Sequence, residues 1–305
     1  MSFHDALLNP SIPITLFEVV PPAAAKPDTL ESSLNELRQV RDLVDAINLP
    51  EIHEEARPGE RTSKFLERVE PRRFGARIKR ELGIDVVINR VTVHDAEPER
   101  WFRETLGQSD ISNWVLVGGE SREIRYPGLG PADAAALVKS LALPVSLGGI
   151  AIPSREGEPE RIRKKQLQGI DFFTSQVMFD SNDLVWLIQR LNGVEARIFI
   201  SFAPVSHQRD LEFLRWLGVD IPQDLDRFLL GSEQAAAASA ETCLDRSINL
   251  AQRILMDVFD NLPPDPPPIG LNIEHINRRN FAPALAMLDR LGNLYANLVA
   301  ARARA

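Results

Sequence analysis

The sequence predicts a single (β/α)8 barrel, an α/β fold in which parallel strands alternate with helices. Two observations lead to this prediction. Eight short apolar runs of strand length alternate with amphipathic segments along the 305-residue chain. These runs are nearly continuous in apolar residues, which is typical of parallel strands that are covered on both faces. A doubly wound sheet is the alternative, and the absence of a Gly-x-Gly-x-x-Gly motif after the first run disfavours it.

The predicted strands are apolar runs of strand-forming residues, and they are spaced along the whole chain. They span residues 14–20, 44–49, 85–93, 113–119, 145–152, 172–179, 196–202 and 269–276. Because parallel neighbours need a crossover between them, each intervening segment is expected to contain a helix.

Helical patterns occupy the segments between these strands. Four apolar residues of segment 28–43 fall on one face at helical spacing. Pro131 stands where the first turn of a helix accepts proline. Ser181 or Asn182 is the expected N-cap of another helix, and a last helix is predicted over 277–291. The four apolar residues are Leu30, Leu34, Leu37 and Val40.

Two segments are longer than simple connectors. Residues 50–70 follow the second strand and are strongly charged. Residues 219–262 are predicted to form a helical insertion, and the proline run 263–268 leads stiffly into the last strand. Neither an internal repeat nor a second domain is visible, so residues 1–305 are interpreted as one domain.

Composition excludes several classes of protein. The net charge of −8 and the pI of about 5.3 make nucleic acid a poor partner. Cys243 is the single cysteine, which excludes an intramolecular disulfide and a cysteine-rich metal site. The first residues lack the pattern of a signal peptide, and no apolar run approaches the roughly 20 residues of a membrane helix. We therefore expect a cytoplasmic protein without a membrane partner.

Polar residues at the ends of the predicted strands are the candidates for chemistry, because barrels carry their active sites there. Glu18 stands out, since a buried strand seldom holds an unpaired acid. The strands contain no lysine for a Schiff base, and no His-x-His pair predicts a metal site. The remaining acids and amides suit a substrate with several N–H donors and proton transfer by a carboxylic acid of raised pKa. They are Glu18, Glu120, Gln176 and Glu274.

Four motifs occur in one order along nearly the whole chain: FEVVPP (17–22), VLVGGE (115–120), KQLQGIDFFTSQVMFD (165–180) and ISFAPVS (200–206). In this order they resemble the motifs of the methylenetetrahydrofolate reductase family, whose members are (β/α)8 barrels. The resemblance implies reduction of 5,10-methylenetetrahydrofolate to 5-methyltetrahydrofolate, a step of one-carbon metabolism.

The resemblance also implies roles for particular residues. Glu18 matches the general acid that helps to protonate N10, so that the five-membered ring opens to an N5 iminium that accepts hydride. Glu120 matches a carboxylate beside the pterin, and Glu54 lies in a charged loop that could close over the substrate. Gln176 matches a glutamine that hydrogen-bonds the pterin. The other expected substrate contacts are Asn48, Phe202 and Glu274.

The contacts that the family uses for FAD are largely missing. Gly118 stands where the family has an arginine, Arg90 where it has a histidine, and IPSREGEPE (152–160) lacks the family's aromatic residue and histidine. Lys165 persists. This pattern resembles flavin-independent members that take hydride directly from NADH or NADPH, and the expected cofactor contacts are Arg90, Gly118, Gly119 and Lys165.

Other interpretations stay open at this point. An FAD-dependent reductase and a non-catalytic folate-binding partner subunit are the alternative functions, and the amphipathic helix predicted within 233–259 is compatible with a homo-oligomer. Glu18 could instead be a structural acid that pairs with a barrel arginine such as Arg90. Separately, Arg90 could be an internal counter-ion or could face a cofactor phosphate. Gln176 could satisfy backbone groups, Glu120 could cap the next segment, and Glu54 could lie on a solvated loop face.

Overall fold

A computed structural model of the chain describes residues 3–26, 28–54, 65–119, 124–231, 242–276 and 280–304. Its strands form a closed parallel barrel, in which each strand pairs with the next and the last pairs with the first. This confirms the predicted (β/α)8 barrel, and all eight predicted strands are found to within two residues at either end. They are β1 (Thr15–Val19), β2 (Ala46–Pro50), β3 (Asp85–Val91), β4 (Asn113–Val117), β5 (Ser146–Ala151), β6 (Phe172–Val177), β7 (Arg197–Phe202) and β8 (Ile269–His275).

Helices cover the outside of the barrel, and three of the described helices lie between β7 and β8. The described helices are α1 (Phe3–Leu7), α2 (Asp28–Leu37), α3 (Pro71–Leu82), α4 (Pro98–Ser109), α5 (Pro131–Ser140), α6 (Glu158–Leu167), α7 (Ser181–Arg190), α8 (Gln208–Trp216), α9 (Gln223–Leu230), α10 (Cys243–Asp260) and α11 (Phe281–Arg302). Residues 232–241 of the predicted insertion helix lie outside the described residues. Within the described ranges, no helix is both long and apolar enough to cross a bilayer.

Two helix ends differ from their predictions. The N-cap of α7 is Asp180, whose Oδ1 accepts the amide of Asn182 at 2.8 Å. The prediction of Ser181 or Asn182 as the N-cap is therefore wrong, because both residues already belong to the first turn of the helix. The free N–H groups of that turn need a hydrogen-bond acceptor from a residue that precedes it. Helix α2 ends at Leu37, and the chain continues in turns, although Val40 is still completely buried as predicted.

Side chains along each strand alternate between the inside of the barrel and the layer against the helices. The inner layer contains Leu16, Ala46, Val87, Val115, Phe172 and Phe199. The outer layer contains Phe17, Ile47, Ile88, Trp114, Phe173, Ile198 and Ile273. This alternation also determines whether the polar side chains at the strand ends point into the barrel or toward the helices. Glu18, two residues after Leu16, therefore points inward, as do Asn48 and Asn89 on the next two strands.

The end of the barrel opposite the strands' carboxyl ends is closed by α1. Leu7 of α1 is completely buried in the inner core. Arg197 at the start of β7 is also completely buried, and its guanidinium donates to the carbonyls of Leu7 at 2.7 Å and Asn9 at 2.6 Å. It donates to the carbonyl of Ile269 as well. Hydrogen bonds thus hold the N-terminal segment against this end of the barrel, which is its floor. The sequence analysis did not predict this contact.

Candidate functional site

Two glutamates lie side by side at the mouth of the barrel. Glu18 of β1 and Glu274 of β8 are register partners on neighbouring strands. Strands that pair in this way are separated by about 4.8 Å, so the two carboxyl groups share one site. Both residues keep some exposed surface, although protein atoms surround their carboxyl groups on most sides. The pair is therefore accessible to a ligand but poorly hydrated.

Burial controls the protonation of this pair. It raises the pKa of Glu18 well above the ordinary value, the charge of Glu274 raises it further, and a hydrogen bond from Asn89 opposes the rise. Burial raises the pKa of Glu274 to about 7, against a hydrogen bond with Ser201. Two neighbouring carboxyl groups in a poorly hydrated site retain a proton at neutral pH. The expectation that burial raises the pKa of Glu18 is confirmed.

Amide side chains surround the two acids. Asn48 Nδ2 donates to Glu18 Oε2 at 2.7 Å, and Asn89 Nδ2 lies 3.5 Å from the same oxygen. Asn272 Nδ2 donates to Ser201 Oγ at 2.9 Å. The carbonyl oxygens of all three asparagines are buried and accept no hydrogen bond from any described residue. The site is therefore rich in acceptors, which suits a ligand with N–H donors.

Arg90 does not pair with Glu18. It lies on the outer side of β3, where it forms ion pairs with Glu51 and Asp95, and its guanidinium carbon lies 4.8 Å from the centre of the Trp101 ring. The interpretation of Arg90 as an internal counter-ion is confirmed, whereas a pairing with Glu18 is wrong because the two side chains point to opposite faces of the barrel wall.

A cluster of rings lines the mouth after β2, β3 and β4. The ring centres of His53 and His94 are 4.6 Å apart, and those of His94 and Tyr126 are 5.3 Å apart. A Cβ atom at Gly119 would lie 2.3 Å from the Tyr126 ring, so this approach requires glycine. A Cβ atom at Gly118 would meet only ordinary contacts, at 3.5 Å from Pro131. Rings in this arrangement can stack on a planar ligand.

Of three further predicted residues, the structure describes two, one at a strand end and one in a loop. Gln176 is half-buried at the end of β6, and its Oε1 accepts the amide of Val177 at 3.3 Å, as the backbone interpretation predicts. Glu54 is exposed in the loop after β2. Glu120 lies outside the described residues.

Two predicted contacts lie away from the mouth. Phe202 is 2% exposed and packs in the outer layer against the helices. Its predicted substrate contact is wrong, because its neighbour Ser201 points inward and strand alternation turns Phe202 outward. Lys165 of α6 donates to the carbonyl of Ile150 at 3.1 Å and lies over the Phe173 ring. It fills the layer between α6 and the barrel.

The described part of the chain contains no cluster of three or more His, Cys, Asp or Glu side chains that could hold a metal ion.

The chemistry that the mouth of the barrel supports depends on the two neighbouring carboxyl groups. A protonated carboxyl group beside a second carboxylate can deliver a proton to a substrate, and the second carboxylate can compensate positive charge.

Replacing Glu274 with glutamine is expected to stabilise the fold at alkaline pH. The pKa of Glu274 is about 7 in the folded protein and ordinarily 4.5. The folded state therefore binds more protons, and stability is lost as the pH rises through this window. At about 1.4 kcal/mol per pKa unit, Glu274→Gln should raise the free energy of unfolding by about 3 kcal/mol at pH 8 and by under about 1 kcal/mol at pH 4.

Urea unfolding at the two pH values measures this difference. The control is Glu195→Gln, because Glu195 is exposed just before β7 at the floor of the barrel. It should change the free energy of unfolding by less than about 0.5 kcal/mol at either pH. An equal effect of Glu274→Gln at both pH values would contradict the assigned burial of its charge.

Comparison with known proteins supports the fold. No family model matches the chain, and no curated protein matches it. A solved structure from Clostridium thermocellum is similar, with a TM-score of 0.74 and 19% identity over 96% of this chain and 99% of that chain. It is described as an uncharacterized protein that binds two copies of 5-methyl-5,6,7,8-tetrahydrofolic acid. At this identity, the similarity establishes the fold alone.

Proposed function

We propose that this protein reduces 5,10-methylenetetrahydrofolate to 5-methyltetrahydrofolate with hydride taken directly from NADH or NADPH. The observation that carries the proposal is the buried acid Glu18, whose raised pKa suits a proton donor at neutral pH. The Clostridium thermocellum neighbour adds support, because the ligand named for it is the product of this reaction.

Glu18 supplies the proton that ring opening requires. Its carboxyl hydrogen moves to N10 of the folate, and the bond between N10 and the bridging methylene carbon breaks with its electron pair remaining on N10. The lone pair of N5 then forms the N5 iminium. Hydride from the nicotinamide C4 adds to the methylene carbon and gives the methyl group and NAD(P)+. Solvent returns one proton to Glu18, so each turnover consumes one NAD(P)H and one proton.

The acceptor groups around Glu18 suit the pterin part of folate, which carries several N–H donors. The unpartnered carbonyl oxygens of Asn48, Asn89 and Asn272 lie next to the two carboxyl groups. A buried acceptor without a partner costs about 1–3 kcal/mol, and a donor-rich ligand offsets that cost.

The residue at position 118 favours direct hydride transfer over a bound flavin, because Gly118 supplies no charge where the resembling family has an arginine. Two other expected cofactor residues are engaged by protein groups. Arg90 pairs with Glu51 and Asp95, and Lys165 donates to the Ile150 carbonyl. Since FAD and NAD(P)H both carry a diphosphate, these two contacts do not separate the two hydride donors.

The experiment that tests the proposal follows hydride from donor to product. The purified protein should show no flavin absorption band, and it should oxidise NADH or NADPH only when 5,10-methylenetetrahydrofolate is present. With nicotinamide deuterated at C4, the deuterium should appear in the product methyl group without exchange with water.

A flavin band that NADH bleaches would favour the FAD-dependent reductase instead. Folate binding without nicotinamide oxidation would favour the non-catalytic folate-binding subunit. The matched control is protein incubated with tetrahydrofolate, which lacks the methylene bridge and should leave the nicotinamide unoxidised.

A further inference from the structure

The two oxygens of the Glu18 carboxyl group have different surroundings. Asn48 Nδ2 donates to Oε2 at 2.7 Å, and Asn89 Nδ2 makes a longer contact of 3.5 Å with the same oxygen. No group of the described residues donates to Oε1. Both N–H contacts therefore fall on one oxygen of the carboxyl group, and the other oxygen remains available to a ligand in the mouth of the barrel.

Strand register and burial hold the Asn48 side chain in this position. Asn48 is the register partner of Glu18 on the neighbouring strand, and it is completely buried. Glu18 is the hydrogen-bond partner of its side chain among the described residues. Asn113, another buried asparagine of the barrel wall, instead donates to the backbone carbonyl of Val86 at 3.2 Å. The Asn48 amide therefore contacts the carboxyl group and not the backbone of the fold.

An N–H donor suits Oε2 in both protonation states of Glu18. When the hydrogen is on Oε1, Oε2 is the carbonyl oxygen of the acid and accepts hydrogen bonds, and in the carboxylate both oxygens accept them. A hydrogen on Oε2 would turn that oxygen into a hydroxyl group, whose hydrogen competes for space with the amide hydrogens of Asn48 and Asn89. The hydrogen that Glu18 exchanges therefore belongs on Oε1.

The same donors act on the charge that proton release creates. When Glu18 gives up its hydrogen, its carboxyl group becomes negatively charged within a poorly hydrated site. N–H groups that already point at the carboxyl group stabilise this charge without further reorganisation of the site. Since a hydrogen bond to an ionised group is stronger than one to a neutral group, the contact with Asn48 strengthens as the proton leaves.

We propose that Asn48 and Asn89 are positioning residues for Glu18, which hold Oε2 so that Oε1 exchanges the proton with the ligand, and which stabilise the carboxylate that remains. The proposal rests on the proposed function for the identity of the proton acceptor, N10 of the folate. The O–H bond at Oε1 breaks with its electron pair remaining on the carboxyl group, and the hydrogen moves to N10. Solvent later returns one proton to Oε1, and neither asparagine changes its own protonation.

The other groups that face Glu18 determine what a pH profile reports. Asn48 of β2 and Asn89 of β3 are neutral. Among the described residues, Glu274 of β8 is the titratable group that acts on Glu18, and His275 of the same strand lies on the outer side, where its ring stacks on an outer-layer ring. Glu274 is present in every asparagine variant, so a difference between these variants and wild type reports the loss of the amide donor.

The pH dependence of turnover by Asn48→Ala tests the proposal. Without the amide donor, the plateau kcat should fall by about tenfold, because the proton leaves a less stabilised carboxylate. The alkaline limb of kcat should move to higher pH by about one unit, since Glu18 then holds its proton more tightly. The dissociation constant for folate should change by less than about threefold, because the donor acts on Glu18 and not on the ligand.

Two further variants separate this effect from damage to the fold. Asn113→Ala also removes a buried amide donor, but at the start of β4, on the floor of the barrel, and it should leave the plateau and the alkaline limb of kcat unchanged. Asn48→Asp keeps the shape of the side chain and replaces its donor with a carboxyl group, so it should move the alkaline limb at least as far as Asn48→Ala. A loss of kcat with an unmoved alkaline limb in both Asn48 variants would indicate a merely structural role and overturn the proposal.

A double variant shows whether Asn48 acts through Glu18. In the Glu18→Gln background there is no proton to release, so Asn48→Ala should change the residual rate by less than about twofold. If the two substitutions instead reduce kcat by the product of their separate factors, Asn48 acts independently of Glu18 and the proposal is wrong.

A carboxyl titration separates this inference from the proposed function. In carbon-13 NMR of glutamate side chains, the signal that is missing from Glu18→Gln identifies Glu18. The midpoint of this signal should move to higher pH by about one unit in Asn48→Ala and should stay in place in Asn113→Ala. An unmoved midpoint in Asn48→Ala overturns the inference even if the protein reduces folate. The predicted movement in a protein that does not turn over folate supports the hold of Asn48 on Glu18 and rejects the proposed function.

Discussion

Glu18→Gln is expected to reduce kcat for folate reduction by about 10³-fold, within the range that general acid catalysis contributes. Glutamine has the same shape as glutamic acid and can still accept the Asn48 amide hydrogen, which reaches Glu18 at 2.7 Å. It has no proton to give to N10. The ring of the folate therefore stays closed, and the iminium that accepts hydride does not form.

Stopped-flow oxidation of NADH in a single turnover measures this step, and calorimetric titration with folate measures binding. The dissociation constant should change by less than about fivefold, because the substitution removes an interaction that is used mainly in the transition state. The control Glu195→Gln removes an exposed carboxyl group at the floor of the barrel and should leave both quantities unchanged. Turnover by Glu18→Gln within a few-fold of wild type would rule out the general-acid assignment.

Arg197→Met is expected to lower the free energy of unfolding by about 3–5 kcal/mol, the scale seen when a buried charged network loses one partner. Its guanidinium is completely buried and donates to carbonyl groups of the N-terminal segment and of β8. Methionine fills much of the same volume but removes all of these hydrogen bonds. The Asn9 carbonyl keeps the amide of Ile12 and the Ile269 carbonyl keeps the Tyr295 hydroxyl, whereas the buried carbonyl of Leu7 loses its side-chain donor, which costs about 1–3 kcal/mol. Protection of backbone amides from hydrogen exchange should be lost first in α1, at the floor of the barrel.

Chemical denaturation measures the loss, and amide hydrogen exchange in α1 locates it. The matched control is Arg163→Met, because Arg163 also donates to backbone carbonyls, those of Arg190 and Asn192, but at an exposed position. That variant should lose under about 1 kcal/mol. A similar small loss in Arg197→Met would show that α1 does not depend on this arginine.

A candidate functional residue was predictable from the sequence where a charged residue interrupted an apolar run. Glu18 is an acid within an apolar run, and the same desolvation that makes it conspicuous in the sequence raises its pKa in the fold. The ring cluster was missed, although His53 and His94 both follow strands in the sequence. Their mutual contact depends on the loops that carry them, and loop conformation has no periodic signal.

The assignment of Phe202 as a substrate contact was wrong because side-chain direction decided it. Phe202 occurs in a motif of the resembling family, yet its side chain packs in the layer between the barrel and the helices. A shift of one residue along a strand exchanges the inner and outer faces. Since both faces of these strands carry apolar residues, the apolar pattern alone does not distinguish the two faces.

By itself the sequence determined the architecture and identified Glu18 as a candidate site residue. Continuous apolar runs that alternate with helical segments have few ways to bury their surface, and closing a parallel barrel is one of them. Only the tertiary structure decided what Glu18 faces. Barrel closure places β8 beside β1, so Glu274 from the far end of the chain becomes its neighbour, while the nearer Arg90 turns outward to Glu51 and Asp95. Contacts of this kind depend on register and closure, which local sequence does not encode.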